Sequence, residues 1–287
     1  MALFGFIGAR NMGYALLRAC VRQFGEDEVI YYDASEVQRD YVFKETGVEP
    51  SENNIAVAQG CKYLVLGIKP IYLPGVLEEL SDVVTEDQVI ISIAVGITID
   101  SIAKAFSSGV RIIRAMPNTP ALVAKGMTGI TFDKDKFNNE ELKVIDKFFS
   151  AFGRYELVEE RLMDAVTCAN GSSPAYVYIF IEALADSVVS LGIPRDQAYT
   201  LAAQTVYGTA SMVLETGEHP ANLKDKVCSP GGTTIAGVNA LEEHGFRNAI
   251  IKATEACYNK AVSIGKEDKW KERQYGVFQK NKKGISL

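Results

Sequence analysis

The first 21 residues combine a short apolar strand, a glycine-containing turn and an amphipathic helix. The strand is predicted over residues 3–7, and apolar side chains such as Leu16 and Val21 follow at helical spacing. Between them, Gly8 is suited to a tight turn, and Gly13 permits close packing of the helix on the strand. A unit of this kind presents a helix N-terminus to the pyrophosphate of a dinucleotide. The chain therefore begins like a nucleotide-binding α/β domain.

An acidic residue follows the second predicted strand. Residues 29–32 form an apolar run that ends at Asp33, about 20 residues beyond Gly13. At this place in dinucleotide-binding domains a carboxylate accepts hydrogen bonds from the adenosine ribose hydroxyls, and it would repel a 2′-phosphate. We therefore expect NADH as the cofactor. Ser35 and Arg39 lie nearby and keep NADPH possible.

Predicted strands alternate with helices in the first half of the chain, and only helices are predicted from about residue 161. The strands are predicted at 3–7, 29–32, 63–68, 89–94, 110–115, 128–132 and 155–158. This order predicts an α/β fold: an N-terminal Rossmann-type doubly wound sheet followed by an all-helical C-terminal region. Small residues in that region, such as Ala183, Ala185 and Ala202, allow the close helix packing of a dimerisation domain or of an ordinary internal core. The predicted parts are a dinucleotide-binding domain over 1–160, a helical substrate and dimerisation domain over 161–265, and a charged C-terminal extension over 266–287.

The composition narrows the classes of protein and partner. The chain has 287 residues, 47% of them hydrophobic, which is enough for one large or two moderate cores. A net charge of −6 with scattered positive charges gives no reason to expect a nucleic acid or a membrane as partner. The five cysteines are widely spaced, so we expect reduced thiols and no metal site. A cytoplasmic location is expected, because neither a signal sequence nor a membrane helix is predicted.

A hydroxyl-rich turn with two glycines precedes a helical run that begins near Ile235. Its residues are Ser229, Pro230, Gly231, Gly232, Thr233 and Thr234. The unpaired N–H groups of a helix N-terminus attract a carboxylate or a phosphate, and glycines let the anion approach the main chain. The same residues also fit a plain capped helix start, with a threonine cap after a Gly-Gly turn. Taken alone, the segment fits either role.

Several motifs together resemble the pyrroline-5-carboxylate reductase family, whose enzymes close proline biosynthesis. They occur in the family's order from the first strand to about residue 264. They are Phe6-Ile7-Gly8, Asn11-Met12-Gly13, Ile68-Lys69-Pro70, Ser92-Ile93-Ala94, Arg114-Ala115-Met116-Pro117-Asn118-Thr119-Pro120, Pro174-Ala175-Tyr176, Gln204-Thr205 and Ser229-Pro230-Gly231-Gly232-Thr233-Thr234-Ile235. The resemblance implies a Rossmann domain, a helical domain that interlocks with its partner, and a homodimer or a higher assembly of dimers.

The resemblance also implies which residues bind the cofactor and the substrate. Cofactor contacts are implied for Gly8, Ala9, Arg10, Asn11, Met12, Gly13, Asn54, Ile68, Lys69, Pro70 and Ala94. Substrate contacts are implied for Ser229, Gly231, Gly232, Thr233 and Thr234. The chain departs from the family at Arg10, where a glycine is usual, and at Asn170 and Ser173, where the family more often has Ser-Gly-Ser-Gly-Pro. Arg10 either contacts the phosphate or narrows the approach to it.

The implied substrate, 1-pyrroline-5-carboxylate, is a cyclic imine whose carbon is electrophilic chiefly when the ring nitrogen is protonated. An enzyme for its reduction has to hold the carboxylate, orient the imine carbon and stabilise the nitrogen. We expect backbone N–H groups near Gly232 and Thr233, with Ser229, to bind the carboxylate. We expect the Thr234 hydroxyl to lie near the imine nitrogen as the catalytic group.

Residues suited to proton transfer are scarce near these motifs. The two histidines, His219 and His244, lie in helix-end contexts that favour a surface or capping role. Cys228 adjoins the hydroxyl-rich turn, but the sequence shows no base partner for it, so we expect it to pack. Positioning rather than a strong side-chain acid is therefore expected to carry the reaction.

Two other functions are consistent with parts of the sequence. A dehydrogenase of the 3-hydroxy acid type shares the two-domain plan, but the lysine and asparagine it needs after a Gly-rich helix start are not found. A non-enzymatic dinucleotide-binding protein is conceivable because of Arg10. The intact hydroxyl-rich turn argues against this second alternative.

Overall fold

The structure, a computed structural model, describes residues 1–106 and 109–266. Within these residues, seven strands form one sheet in the order β2-β1-β3-β4-β5-β6-β7. The strands are β1 (Ala2–Ile7), β2 (Val29–Tyr32), β3 (Cys61–Leu66), β4 (Val89–Ser92), β5 (Arg111–Met116), β6 (Gly126–Thr131) and β7 (Gly153–Leu157). Neighbouring strands are parallel except β5 and β6, which are antiparallel. The predicted doubly wound, mostly parallel sheet is confirmed.

Twelve α-helices connect and follow these strands in the described part of the chain. They are α1 (Asn11–Phe24), α2 (Glu36–Thr46), α3 (Asn54–Gly60), α4 (Leu73–Leu80), α5 (Ile99–Ala103), α6 (Asn139–Ser150), α7 (Met163–Val166), α8 (Ser173–Ser190), α9 (Arg195–Thr216), α10 (Pro220–Val227), α11 (Thr233–Glu243) and α12 (Phe246–Lys266). A π-helical turn, Thr167–Ser172, joins α7 to α8. From α7 onward the described chain is helical, so the prediction of a helical C-terminal region is confirmed.

Alternating side chains of the strands fill two cores, one on each face of the sheet. On β3, Tyr63 belongs to one core and Leu64 to the other. The first core is rich in aromatic rings, and the rings of Phe4 on β1 and Phe148 on α6 stack with their centroids 4.7 Å apart. Because both faces are covered, the central strands are near-continuous apolar runs, which is the pattern that located them in the sequence.

The chain divides into two compact units by its internal contacts. The first unit holds the sheet, as residues 1–172, together with α12 from Cys257 onward, and the second is Ser173–Ala256. In the second unit α8 and α9 pack through small side chains, and Ala185 and Ala198 are fully buried. None of the helices in the described residues is both long and apolar enough to cross a membrane.

The predicted domain bounds, 1–160 and 161–265, stay predictions. The predicted charged extension over 266–287 lies outside the described residues beyond Lys266. Two predicted strands run past the observed ends: β3 is Cys61–Leu66 rather than 63–68, and β4 ends at Ser92 rather than residue 94. In both cases the chain leaves the ladder at the carboxyl edge of the sheet.

Candidate functional site

Three glycines bring the turn after β1 into backbone contact with the chain that follows β3. Gly8 has a φ of +87°, a conformation that residues with a side chain rarely adopt. A Cβ atom on Gly13 would lie 2.1 Å from the Gly8 carbonyl oxygen, and one on Gly67 would lie 2.6 Å from the same atom. These separations are too short for any side chain, so the turn requires glycine at both positions. The sequence analysis missed Gly67, although a glycine directly after an apolar strand was a signal for it.

Helix α1 begins with its backbone N–H groups uncapped by any side chain of the described residues. Arg10 is the N-cap residue and is exposed, as is Asn11, which has a φ of +34°. Met12 packs against the aromatic core. The start of α1 therefore offers free N–H donors to an anion such as a pyrophosphate.

Asp33 ties this turn to the end of β2. Its side chain is buried, and its carboxylate oxygens accept hydrogen bonds from the N–H groups of Ala9 and Ser35, each at 2.9 Å. Gln38 reinforces the contact by donating from Nε2 to the Ala9 carbonyl oxygen at 2.6 Å. A carboxylate has about four acceptor positions, so Asp33 can hold the turn and still accept from a ribose hydroxyl.

A cation and a hydroxyl flank Asp33. Arg39 donates from Nη1 to the Asp33 carbonyl oxygen at 2.8 Å, and its guanidinium carbon lies 5.4 Å from the centroid of the Tyr32 ring. Ser35 is the N-cap residue of α2. The structure thus brings together the three residues from which the sequence analysis argued cofactor preference.

Further predicted cofactor residues follow neighbouring strands. Ile68, Lys69 and Pro70 come after β3, and Ala94 comes after β4. Since β1, β3 and β4 are adjacent and parallel, these residues lie with Gly8 along the carboxyl edge of the sheet, where open α/β sheets bind ligands.

Asn54 is the first residue of α3, which leads into β3. The helix is capped by its neighbour Asn53, whose Oδ1 accepts from the Ala56 N–H at 2.8 Å. The Asn54 side chain donates from Nδ2 to Glu79 Oε2 at 2.8 Å. Its amide nitrogen is therefore engaged with α4, and a contact from this nitrogen to a cofactor would have to replace or share that bond.

A buried arginine, which the sequence analysis named within a motif but gave no role, stabilises the same edge of the sheet. Arg114 on β5 is 5% exposed and lies 3.4 Å from Glu160 Oε1 and 3.5 Å from Asp164 Oδ1. Glu160 also accepts from the Ile99 N–H at 2.7 Å, at the start of α5. The Arg-Ala-Met-Pro sequence marked Arg114, but its acidic partners are about 50 residues away, and nothing in the local pattern indicated them.

The hydroxyl-rich turn forms a tight bend before α11. Gly232 donates from its N–H to the Ser229 carbonyl oxygen at 3.0 Å, and Gly231 has a φ of +69°, which together with Pro230 describes a glycine-dependent β-turn. A Cβ atom on Gly232 would lie 2.4 Å from Ser229 Oγ, so the serine side chain folds over this glycine.

Gly232 itself is the N-cap residue of α11, which is why the helix has no side-chain cap among the described residues. The alternative interpretation of this segment, a helix start capped by a threonine, is therefore wrong. Thr233 and Thr234 are the first two residues of the helix, and Thr234 is half-buried. The bend and the uncapped start of α11 leave N–H donors at a glycine-rich surface, as an anion-binding turn requires.

Both histidines have the helix-end roles expected of them. His219 is the N-cap residue of α10 and accepts through Nδ1 from the Ala221 N–H at 3.2 Å. His244 follows α11, and its Nδ1 lies 2.9 Å from the Ala240 carbonyl oxygen. Cys228 is half-buried. In the described ranges, no group of three or more His, Cys, Asp or Glu side chains could hold a metal ion.

Comparison with known proteins decides the family. A family model described as pyrroline-5-carboxylate reductase dimerisation matches residues 160–264, and one described as NADP oxidoreductase, coenzyme F420-dependent, matches residues 3–96. Pyrroline-5-carboxylate reductase of Escherichia coli (strain K12) is 43% identical over 264 residues, which is 91% of this chain and 98% of that protein. The chain belongs to the pyrroline-5-carboxylate reductase family.

Other members of the pyrroline-5-carboxylate reductase family agree with this assignment. The enzyme of Synechocystis sp. is 44% identical, over 92% of this chain and 98% of that one. A crystal structure of Plasmodium falciparum pyrroline carboxylate reductase with NADP bound has a TM-score of 0.82 at 30% identity, covering 92% of this chain and 98% of that one. The family and the fold class expected from the motifs are both confirmed.

Proposed function

We propose that this protein is an NAD(P)H-dependent oxidoreductase that reduces 1-pyrroline-5-carboxylate to L-proline, the last step of proline biosynthesis. The observation that carries the proposal is the 43% identity to a pyrroline-5-carboxylate reductase over nearly the whole length of both chains. The glycine turn after β1 and the hydroxyl-rich turn before α11 supply an anion-binding group for each of the two ligands that the reaction needs. No residue pattern favours the 3-hydroxy acid chemistry considered as an alternative.

The turn after β1 fits a dinucleotide. Gly13 and Gly67 have no Cβ atoms, which leaves space at the turn that a side chain would fill. The start of α1 next to this space has no side-chain cap. In the proposal, residues 8–13 bind the pyrophosphate, and Asn54, residues 68–70 and Ala94 contact the rest of the cofactor. The cofactor, when bound, supplies the hydride for the reduction.

Asp33 supports a preference for NADH. Its carboxylate lies buried at the end of β2 with further lone pairs for ribose hydroxyls, and a 2′-phosphate would bring two negative groups together there. Arg39 and Ser35 could offset part of that repulsion, so NADPH remains an accepted second cofactor in the proposal.

The hydroxyl-rich turn supports the binding of a carboxylate. Backbone N–H groups near Gly232 and Thr233, with the Ser229 hydroxyl, would hold the substrate carboxylate at the positive end of α11. Gly231 is required by the bend itself. The Thr234 hydroxyl would accept a hydrogen bond from the protonated ring nitrogen and so keep the imine in its electrophilic form. Positioning and fixed dipoles then lower the barrier without a strong side-chain acid.

The assembly is proposed to be a homodimer or a higher assembly of dimers, formed through the helical region. Large apolar side chains are exposed on α8 and α9, more than a typical monomer surface leaves in one region. They include Val177, Tyr178, Ile179, Leu201, Tyr207, Met212 and Leu214. The expected cytoplasmic location stays a prediction.

The role of Thr234 is tested with a matched pair of variants and 1-pyrroline-5-carboxylate as substrate. Thr234→Val keeps the shape of the side chain without the hydroxyl, and Thr234→Ser keeps the hydroxyl. We expect the valine variant to lose roughly 10- to 100-fold in kcat, the worth of one hydrogen bond to a charged group, and to keep its affinity for NADH. The serine variant should recover most of the loss. Equal turnover in the two variants would remove Thr234 from the catalytic role.

A further inference from the structure

Two asparagine side chains fill the gap where β5 and β6 separate. The antiparallel ladder ends at the pair of Met116 and Gly129, and beyond it Met127 has no partner on β5, although it pairs with Arg154 of β7 on its other side. Asn118 accepts through Oδ1 from the Met127 N–H at 2.8 Å. Asn170 donates from Nδ2 to the carbonyl oxygens of Met116 and Met127, at 2.8 Å and 2.9 Å. We call this arrangement the asparagine clasp.

The clasp leaves one polar atom without a partner. Asn170 is 7% exposed, and its Oδ1 is buried with no hydrogen-bond partner among the described residues. The orientation of the amide is fixed, because both contacts of Nδ2 are to carbonyl oxygens, which accept only. Leaving a buried amide oxygen without a donor is unfavourable, so an unmatched acceptor here calls for a ligand or a water.

The position of Asn170 places this acceptor beside the cofactor edge. Ser92 ends β4 and pairs with Arg114 on β5, so Ala94, which follows β4, and Met116, which ends β5, both lie at the carboxyl edge of these two neighbouring parallel strands. Ala94 is one of the proposed cofactor residues, and Met116 is held by Asn170. Asn170 also lies in the π-helical turn before α8, and such turns are frequent at functional sites.

We propose that Asn170 Oδ1 accepts a hydrogen bond from the carboxamide N–H of the nicotinamide ring and so positions the ring at the end of β5. The inference rests on the proposed use of NAD(P)H. The ring carries a single donor group, its amide nitrogen, which is the complement of an amide oxygen. Asn170 is thus a positioning residue for the reacting end of the cofactor, and it stands where the family pattern more often has serine.

The test measures dinucleotide binding to the full-length protein, without substrate. The probes are NADH, reduced 3-acetylpyridine adenine dinucleotide, in which a methyl group replaces the amide nitrogen, and ADP-ribose, which lacks the ring. Wild-type protein should bind NADH roughly three- to tenfold more tightly than the acetylpyridine analogue, the worth of one hydrogen bond. Equal binding of the two by wild-type protein would overturn the proposal, and the unmatched oxygen would then be met by water.

Two alanine variants distinguish the positioning of the nicotinamide ring by Asn170 from the structural role of the asparagine clasp. Asn170→Ala should reduce the ratio of the affinity for NADH to the affinity for the acetylpyridine analogue to about one. It should leave the affinity for ADP-ribose unchanged. Asn118→Ala also weakens the clasp but retains Asn170 Oδ1, so it should keep the wild-type ratio. Loss of the ratio in Asn118→Ala as well, or its retention in Asn170→Ala, would contradict the proposal. If the proposed use of NAD(P)H itself were wrong, neither NADH nor ADP-ribose would bind to wild-type protein.

Discussion

Replacing Glu141 by glutamine should destabilise the sheet unit by about 3 kcal/mol at neutral pH. Glu141 is a buried carboxylate in the first turn of α6, at the edge of the sheet opposite the proposed cofactor residues. Its oxygens lie 2.7 Å from Arg111 Nη1 and 3.0 Å from Lys62 Nζ, and it accepts from the Asn138 N–H at 3.1 Å. One side chain thus joins the starts of β3, β5 and α6.

The magnitude follows from the pKa of this carboxyl group. Burial by itself raises the pKa, but the hydrogen bonds from Arg111, Lys62 and the Asn138 N–H outweigh burial and lower it from 4.5 to about 2. The difference between a pKa of 4.5 and one of about 2 corresponds to about 3 kcal/mol of stability. Lys62 contributes less of this stabilisation than Arg111, because the Lys62 side chain is 40% exposed and its charge is partly screened by water.

The sign of the pH dependence is fixed by the lowered pKa. The stabilisation is fully present above the unfolded pKa of 4.5 and is lost as the pH falls through the folded value of about 2. At about pH 3, less than half of it should remain. Glutamine keeps the shape of the side chain but carries no charge, so the gap between wild type and Glu141→Gln should shrink from pH 7 to pH 3.

Urea unfolding followed by circular dichroism at fixed protein concentration measures this gap. The control is Glu140→Gln, one residue earlier in the same helix, whose side chain is 81% exposed and pairs with exposed Lys143. It should shift the urea midpoint little at either pH. Equal midpoints for wild type and Glu141→Gln at pH 7, or a gap that does not change down to pH 3, would refute the reasoning.

Two further predictions concern the cofactor turn. Gly13→Ala places a Cβ atom 2.1 Å from the Gly8 carbonyl oxygen, so NADH affinity by fluorescence titration should fall at least tenfold. Gly75→Ala, where nothing lies within 4 Å, is the control and should bind NADH as wild type does, and a matching loss there would point to a general helix effect. Asp33→Ser removes the carboxylate that we propose faces the ribose, and it should raise the ratio of kcat/KM for NADPH to that for NADH. An unchanged ratio would contradict the argument for NADH.

The sheet and its binding edge were largely predictable because they depend on local patterns. β2 was predicted at its observed bounds, 29–32, since it is a short apolar run that ends at the polar residue Asp33. The turn at Gly8 and the bend at Gly231 were predictable because glycine marks positions where the chain turns tightly. The antiparallel direction of β6 was not predicted, because strand direction depends on how the connection crosses the sheet rather than on composition.

The parts that sequence could not supply depend on contacts between distant residues. Asn170 meets Met116 across 54 positions, and neither residue carries a local sign of the other. The π-helical turn has no characteristic pattern either. Asp33 was found by its spacing from Gly13, but its hydrogen bond to the Ala9 N–H required the folded turn. Sequence therefore predicted the segments proposed to bind the cofactor and the substrate, and the structure added the side chains that hold the cofactor turn in place.

The most direct test of the central claim follows the loss of reduced-nicotinamide absorbance with 1-pyrroline-5-carboxylate, using NADH and NADPH in parallel and identifying L-proline as the product. The account predicts rapid oxidation that depends on the imine substrate, with NADH the better cofactor. No oxidation of either cofactor by folded protein would contradict the proposed reduction. Faster oxidation of NADPH would leave the reductase in place and overturn the role given to Asp33.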